Sequence, residues 1–197
     1  MSFAHKDSAR RALRERRCRV SGADAQSFAE RATAHLLETE TWRNADSVAV
    51  YFHRDGEMST EPLIDAARRF DKALYLPVIH ENALGFRLWS EGSDLIRNRY
   101  GIDEPAARTT NASGDAESKP VRLDLLLTPL VGWAWGGYRL GMGGGYFDRY
   151  LANGDRRPGL VLGLAYACQR EDSLAALADP WDREVDGVLT EQGLHRF

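Results

Sequence analysis

A glycine-rich segment at 139–148, Arg-Leu-Gly-Met-Gly-Gly-Gly-Tyr-Phe-Asp, constrains the fold of this chain more than any other segment. It follows an apolar run at 123–131 that is typical of a buried strand, and residues 146–151 have the pattern of a helix start. In a strand–loop–helix arrangement, uncovered backbone N–H groups and a helix N-terminus together bind anions, usually phosphate. The sequence therefore predicts a phosphate-binding loop.

Strands and helices alternate along the rest of the chain. Apolar runs predict further strands at 46–52, 72–79, 158–166 and within 182–190, with an alternating edge strand at 85–89. Helices are predicted at 4–19, after Ser21, after the capping residue Thr60, and at 173–178. This alternation favours an α/β fold, a three-layer sandwich with a mainly parallel, Rossmann-like central sheet.

The length of 197 residues is enough for one domain, and we predict a single domain over 1–197. Residues 105–119 have loop composition and no periodicity, which predicts a flexible surface loop. A domain boundary is not expected there, because the strand that completes the sheet follows at once.

Composition excludes several classes of function. The net charge of −3 gives no global reason to expect binding to nucleic acid or to a membrane. The two cysteines, Cys18 and Cys168, have no metal-ligand spacing and indicate free thiols in a reducing compartment. The first residues lack the apolar core of a signal peptide, so we expect a cytoplasmic protein.

The first predicted helix is strongly basic. Lys6 and Arg10 are four residues apart, so both side chains lie on one face and are placed to reach a polyanion. A solvated helix docked by a narrow apolar stripe is the simpler interpretation. A third interpretation is an RNA-binding arm. This interpretation is weaker, because no aromatic residues alternate with the charged residues to stack on bases.

A polar loop at 53–60 follows the strand at 46–52. It lies at the carboxyl end of a strand in a strand–helix unit, where open α/β sheets bind ligands. Glu57 is the acid selected there as a ligand-binding candidate, against the alternative of a solvated loop carboxylate. His53 is a weaker candidate, since a lone loop histidine is more often without a function.

The glycine loop does not match the common nucleotide motifs. No Gly-Lys-Ser/Thr follows it, and its acid, Asp148, comes too soon for a dinucleotide fingerprint. A purely structural glycine turn is the alternative. Charged residues near the loop argue against a purely structural turn. Arg139 supplies a positive charge, and Asp148 and Asp186 are candidate carboxylates for a Mg²⁺ ion bound next to phosphates.

Several ordered motifs together resemble the 5-formyltetrahydrofolate cyclo-ligase family along nearly the whole chain. The glycine segment and its continuation, Arg-Leu-Gly-x-Gly-Gly-Gly-Tyr-Phe-Asp-Arg-Tyr-Leu, resemble the family signature. Similar matches are the basic start with Lys6 and Arg10, the loop 56–60, the turn 100–105, the strand 123–129 and the ending 185–191.

The resemblance implies an enzyme that converts 5-formyltetrahydrofolate to 5,10-methenyltetrahydrofolate with ATP and Mg²⁺. It implies metal binding by Asp148 and Asp186, and folate binding by Phe52, Glu57, Tyr100 and Tyr146. The ATP-binding residues that it implies are Lys6, Arg10, Arg139, Gly141, Met142, Gly143, Gly144, Gly145, Tyr146 and Phe147. We expect small-molecule ligands only, and a monomer.

Other aromatic residues and some departures from the family pattern leave questions open. Tyr51 and Trp133 provide either stacking surface for the folate rings or ordinary core packing. Met142 stands where relatives often carry Tyr, Arg or Lys. The loop at 132–137 contains no acid, whereas the segment that relatives usually have there contains an Asp. A non-catalytic paralogue that binds nucleotide or folate is therefore the alternative to the enzyme.

Overall fold

The computed structural model describes residues 5–106 and 122–197. Within them, helices are α1 Lys6–Cys18, α2 Gly22–Leu37, α3 Glu40–Asn44, α4 Glu61–Arg69 and α5 Tyr146–Leu151. Strands of the main sheet are β1 Ser47–Ala49, β2 Ala73–His80, β3 Ala83–Leu88, β6 Leu125–Pro129, β9 Leu160–Leu164, β10 Gly187–Thr190 and β11 Gly193–Arg196. Two ribbons pair β4 Leu95–Arg97 with β5 Asp103–Pro105, and β7 Gly132–Trp133 with β8 Arg139–Leu140. Short 3₁₀ turns occupy Gly154–Arg156, Ala167–Gln169 and Asp172–Leu177.

The main sheet has the order β11-β10-β9-β6-β1-β2-β3 within the described residues. Its inner strands, from β10 to β2, all run parallel, and β11 and β3 pair antiparallel at the two edges. Parallel neighbours need crossover connections, and here α4 lies between β1 and β2 and α5 between β6 and β9. The predicted α/β fold with a mainly parallel central sheet is confirmed.

Both faces of the sheet are covered, as β6 illustrates. Leu125 and Leu127 face a core that includes α2 and α4, whereas Leu126 faces a second core that includes Leu151 of α5. A strand buried on both faces is apolar at successive positions, not at alternate ones. This explains why the sequence shows a continuous apolar run there.

A third, smaller core holds α1 against the ribbon β7–β8 and the turn Asp172–Leu177. Ala9 and Leu13 of α1 are fully buried in it. A Cβ atom on Gly132 would lie 2.5 Å from Leu13 Cδ1, so the small residue at 132 allows the close approach of helix and ribbon. The basic helix is therefore docked by its apolar stripe.

The structure shortens or changes some predicted elements. The strand predicted at 46–52 ends at Ala49, so Tyr51 and Phe52 belong to the loop that follows. Thr60 does not cap α4 with its side chain, because its Oγ1 donates to the backbone oxygen of Tyr51 at 2.7 Å. The predicted surface loop at 105–119 lies almost entirely outside the described residues.

None of the helices in the described ranges is long and apolar enough to cross a membrane.

Candidate active site

The carboxyl ends of strands β1, β2 and β6 open into a cavity of about 950 Å³. The glycine loop (residues 141–145), the start of α1, the β4–β5 ribbon and the segment 179–183 complete its wall. Ligand sites typically have volumes of about 300–1,000 Å³, so this cavity is large for one small molecule. The phosphate loop and the Glu57 loop predicted from sequence face the same space.

The glycine loop forms one end of the cavity. Gly143 and Gly145 have φ angles of 97° and 65°, in the left-handed region that favours glycine. The guanidinium of Arg10 packs against Gly143, where a Cβ atom would lie 3.4 Å from Cζ, and Arg10 Nε donates to Gly141 O at 2.9 Å. A cation thus lies directly against the backbone of the loop.

Lys6 lies in the cavity wall one helical turn before Arg10. Its Nζ donates to the carboxylates of Asp179 and Asp182, each at 2.6 Å. Partial burial lowers the pKa of Lys6, but the hydrogen bonds to the two carboxylates outweigh this effect and raise the pKa above its ordinary value. The ammonium group therefore stays charged at neutral pH and ties α1 to the segment 179–183.

Arg139 and Asp148 form a largely buried ion pair beside the loop. Arg139 Nη2 donates to Asp148 Oδ1 at 2.8 Å, and the backbone N–H of Arg183 donates to the same oxygen at 3.1 Å. Burial lowers the pKa of Arg139, and Asp148 opposes this. Since both bonds go to Oδ1, they orient the carboxylate without using its second oxygen.

Asp186 does not join Asp148, contrary to the sequence prediction. It precedes β10, at the amino end of the parallel strands, whereas the cavity lies at their carboxyl ends. Its carboxylate accepts from Arg157 at 2.8 Å and from the backbone N–H of Val161 at 2.7 Å, a structural role at the start of two strands. Asp182, four residues earlier, does line the cavity, as Asp148 does.

The opposite end of the cavity contains a buried carboxylate. The Glu57 side chain is 9% exposed, accepts from the backbone N–H of Arg54 at 3.1 Å, and lies 3.5 Å from Nη1 of Arg17. Burial raises the pKa of Glu57, and the positive charge of Arg17 opposes the rise. Phe52 packs edge-to-face on Trp89 beside it, with ring centroids 5.4 Å apart.

Two tyrosines close part of the mouth of the cavity. The hydroxyl oxygens of Tyr100 and Tyr146 are 2.5 Å apart, and their rings meet edge-on at 74°. Hydrogen bonds from Tyr100 and Arg99 to its oxygen lower the pKa of Tyr146. This contact joins the β4–β5 ribbon to the first residue of α5.

Comparison with known proteins assigns the chain to a family. The sequence model of the 5-formyltetrahydrofolate cyclo-ligase family matches residues 2–191. The chain belongs to this family.

Individual cyclo-ligases match over nearly their full length. The 5-formyltetrahydrofolate cyclo-ligase of Haemophilus influenzae is 34% identical, with 96% of this chain and 99% of the relative covered. That of Escherichia coli (strain K12) is also 34% identical, with 90% and 96% covered. A solved structure of Aquifex aeolicus 5,10-methenyltetrahydrofolate synthetase has a TM-score of 0.80 at 29% identity, with 97% and 92% covered.

Most residues that the cyclo-ligase resemblance selected lie in the wall of the one cavity, although their binding roles stay predictions. They are Lys6, Arg10, Phe52, Glu57, Tyr100, Arg139, Gly141, Met142, Gly143, Gly144, Gly145, Tyr146, Phe147 and Asp148. Trp133 does not join them, because it is buried against His195 and Phe197. Neither His53 nor Asp186 lines the cavity.

Sequence reasoning missed Arg17 and Asp182. Arg17 is a fully buried cation in contact with the cavity residue Glu57. Asp182 lines the cavity and precedes Arg183, whose backbone N–H donates to Asp148. The signal for Arg17 was present, since it lies seven residues after Arg10 on the same helical face. No comparable signal separates Asp182 from Asp186, because the choice depends on which edge of the sheet each acid meets.

Proposed function

We propose that this protein uses ATP to close 5-formyltetrahydrofolate to 5,10-methenyltetrahydrofolate, with release of ADP and phosphate. The observation that carries the proposal is a single cavity with two chemically different ends. One end has a glycine loop in contact with a cation, and the other has a buried carboxylate beside aromatic rings. The names of the relatives from H. influenzae and E. coli support the same reaction.

The glycine end is assigned to the triphosphate of ATP. Backbone N–H groups of the loop, with Arg10 and Lys6, would neutralise the phosphate charge. Phosphoryl transfer depends mainly on such positioning and charge stabilisation, so no nucleophilic side chain is required. Arg139, being almost fully buried, contributes by holding Asp148 in position.

The donor set is compatible with one Mg²⁺ ion held partly by phosphate. Among the described residues, no group of three or more His, Cys, Asp or Glu side chains could hold a metal alone. Mg²⁺ usually takes one or two carboxylates plus substrate phosphates, and Asp148 with Asp182 provides that number. When bound there, the ion would neutralise charge on the β- and γ-phosphates.

The Glu57 end is assigned to the pterin ring of the folate. A carboxylate accepts paired N–H bonds from the donor edge of a pterin, and Arg17 favours the charged form of Glu57 that does so. Phe52, and Tyr100 at the mouth, would provide apolar surface for the flat rings.

With the two substrates so oriented, the formyl oxygen on N5 attacks the γ-phosphorus, and the bond from that phosphorus to the bridging oxygen of ADP breaks. N10 then attacks the activated formyl carbon and loses its proton. The carbon–oxygen bond breaks last, its electron pair leaves with phosphate, and the methenyl bridge remains. The cavity holds the reacting atoms together, and the effective concentration that results is a large part of catalysis.

The test is incubation of the purified protein with 5-formyltetrahydrofolate and MgATP, while the near-UV absorbance of the methenyl product and the release of ADP are followed. We expect both signals in equal amounts. Bound folate without turnover at any substrate concentration would reject the enzyme in favour of a non-catalytic paralogue.

Three variants test the assignment of the two ends. Asp148→Asn should weaken MgATP use about 10- to 100-fold, the usual cost of disturbing a metal ligand or its partner, with little change in folate binding. Glu57→Gln should weaken folate binding and leave ATP binding intact. Asp186→Asn is the matched control: it should lower stability but leave both substrate affinities unchanged. A loss of MgATP affinity in Asp186→Asn equal to that in Asp148→Asn would reject the assignment.

A further inference from the structure

Glu104 is a buried carboxylate in the cavity wall that is assigned neither to ATP nor to the pterin ring. It lies on β5 of the short ribbon, is 6% exposed, and lines the cavity. Its Oε1 accepts from the backbone N–H of Ile79 at 2.9 Å and from Nδ2 of Asn98 at 2.6 Å. Because Ile79 lies near the end of β2, the carboxylate is held at the carboxyl edge of the main sheet.

The negative charge of Glu104 has no cation beside it. Across the two described ranges, no Lys, Arg or His side chain lies within ion-pair distance of this carboxylate, whereas the neighbouring Asp103 pairs with Arg97 at 3.2 Å. Glutamate side chains are rarely buried without a partner of opposite charge, since burial of a charge is costly. An unpaired carboxylate in the wall of a ligand cavity therefore favours a functional role over a contribution to stability.

The second oxygen of the Glu104 carboxylate is available to a ligand. Among residues 5–106 and 122–197, no group donates to Oε2. The protein does not enclose this oxygen completely, so it remains accessible. Since both hydrogen bonds go to Oε1, they fix the side chain and leave Oε2 to accept from an N–H group of a bound molecule.

The contacts of Glu104 connect it to both ends of the cavity. Asn98, which donates to Glu104, also accepts from the backbone N–H of Tyr100 at 2.8 Å and so organises the turn of the ribbon. The side chain of Arg54 joins this turn to the pterin end, because it donates to Tyr100 O at 3.2 Å. The contact between the hydroxyl groups of Tyr100 and Tyr146 joins the same turn to the residue that follows the glycine loop.

The reaction proposed above requires a proton acceptor between the same two ends. The formyl group is on N5 of the pterin, and its oxygen must meet the γ-phosphate at the glycine end. N10 must then reach the formyl carbon, so it also lies where the two substrates meet. Once its lone pair has formed the new bond, N10 is positively charged and its proton is acidic. A base within hydrogen-bond distance accelerates the loss of such a proton.

We propose that the Glu104 carboxylate accepts the N10 proton during ring closure and is a catalytic residue of the cyclo-ligase reaction. This inference rests on the proposed function. The N10 lone pair forms the bond to the formyl carbon, the N10–H bond breaks, and the proton passes to Oε2. The electron pair left on N10 helps to expel phosphate as the carbon–oxygen bond breaks. The neutral carboxylic acid of Glu104 then returns the proton to water.

The test separates the two chemical steps within a single turnover. Protein in excess over 5-formyltetrahydrofolate is mixed with MgATP, and ADP and the methenyl product are followed by rapid quench and by absorbance. Glu104→Gln keeps the size of the side chain and an acceptor oxygen for Ile79, but it cannot take the proton. ADP should form at an unchanged rate, and ring closure should slow about 100-fold, a typical contribution of a positioned base. The Kd for the folate should not change.

Two further variants accompany Glu104→Gln. Glu104→Asp keeps the charge but withdraws the carboxylate by one methylene group, so it should also slow only ring closure, by about tenfold. Asp103→Asn is the matched control, because it removes the adjacent carboxylate of the same strand, which is engaged by Arg97. This control should change neither rate.

Three outcomes would overturn the inference. Equal slowing of ADP release and ring closure in the Glu104 variants would indicate a structural role. Unchanged ring closure in folded Glu104→Gln would show that another group takes the proton. A weaker Kd for the folate with unchanged rates at saturation would make Glu104 a binding residue only. The proposed function fails in a different way, when the unaltered protein forms neither ADP nor the methenyl product.

Discussion

Arg17 is a fully buried arginine whose ion pair with Glu57 connects the N-terminal helix to the proposed pterin site. Its Nη2 donates to Asp55 O at 2.7 Å and its Nη1 to Leu130 O at 3.3 Å, so it holds both loops that flank the cavity. Buried ion pairs contribute little net stability, but removal of one partner leaves an uncompensated buried charge. The role of Arg17 is therefore to position Glu57 and to keep it charged.

We predict that Arg17→Met shifts the pH dependence of folate binding. Burial already raises the pKa of Glu57, and loss of the opposing positive charge raises it further. Because the carboxylate form binds the pterin, affinity decreases as pH falls through this pKa, and in the variant the decrease begins at a higher pH. Fluorescence titration of folate binding across pH measures this shift.

The control for this variant is Arg14→Met on the same helix. Arg14 is about half exposed and lies 4.0 Å from Asp55, so its removal should leave the pH profile unchanged. An unshifted profile in a folded Arg17→Met protein would show that Arg17 has only a packing role.

At the scale of elements, the glycine loop depends on two features that only glycine allows. Gly143 combines a φ of 97° with the guanidinium of Arg10 packed directly against it. Gly145 precedes the first residue of α5 with a φ of 65°. The left-handed positions turn the chain sharply between β8 and α5, and the absence of Cβ atoms leaves the cavity side of the loop open for a ligand.

Gly143→Ala should weaken ATP use more than it lowers stability. The left-handed backbone costs of order 1–3 kcal/mol for a residue with a Cβ atom, and that atom would also lie in contact with the guanidinium of Arg10. We expect the KM for ATP to rise about tenfold and the free energy of unfolding to fall by about 1 kcal/mol.

Steady-state kinetics and urea denaturation measure the two effects. Gly154→Ala is the matched control, because a Cβ atom there meets no neighbour within 4 Å, and neither quantity should change. An unchanged KM for ATP in Gly143→Ala would contradict the assignment of the loop to the triphosphate.

At the scale of the whole molecule, α1 joins the two ends of the cavity. Arg10 contacts the glycine loop, Leu13 anchors the helix in its core, and Arg17 contacts Glu57. The three residues lie on one helical face, at intervals of three and four. A ligand at either end therefore stabilises the same helix against the rest of the fold.

We predict that each substrate separately raises the melting temperature. At 100 times its Kd, a ligand that binds only the folded state adds about 2.7 kcal/mol, which corresponds to roughly 5–10 °C in a protein of this size. Thermal unfolding with MgATP alone and with 5-formyltetrahydrofolate alone measures both shifts. In Glu57→Gln, the rise in melting temperature with 5-formyltetrahydrofolate should become smaller, whereas the rise with MgATP should persist. If both rises decrease equally, the two substrates do not bind at separate ends of the cavity.

Much of the fold and part of the candidate site could be predicted from the sequence. Continuous apolar runs indicated strands buried on both faces, and their alternation with helices indicated a parallel α/β sheet, because these patterns reflect local geometry. The glycine loop, Lys6, Arg10 and Glu57 could be selected by residue type and position relative to strands. The short ribbon β4–β5 could not, since its strands of three residues carry too little periodic signal.

The fold class and the glycine loop follow from the sequence alone, because backbone freedom and apolar burial are properties of local residues. Which acid lines the cavity with Asp148, and which arginine reaches Glu57, depend on contacts made in the folded protein. Asp182 and Asp186 are nearly equivalent in sequence, yet Lys6 holds the first in the cavity and Arg157 holds the second at the opposite edge of the sheet. Charges act through space, so their partners depend on contacts between residues far apart in the chain.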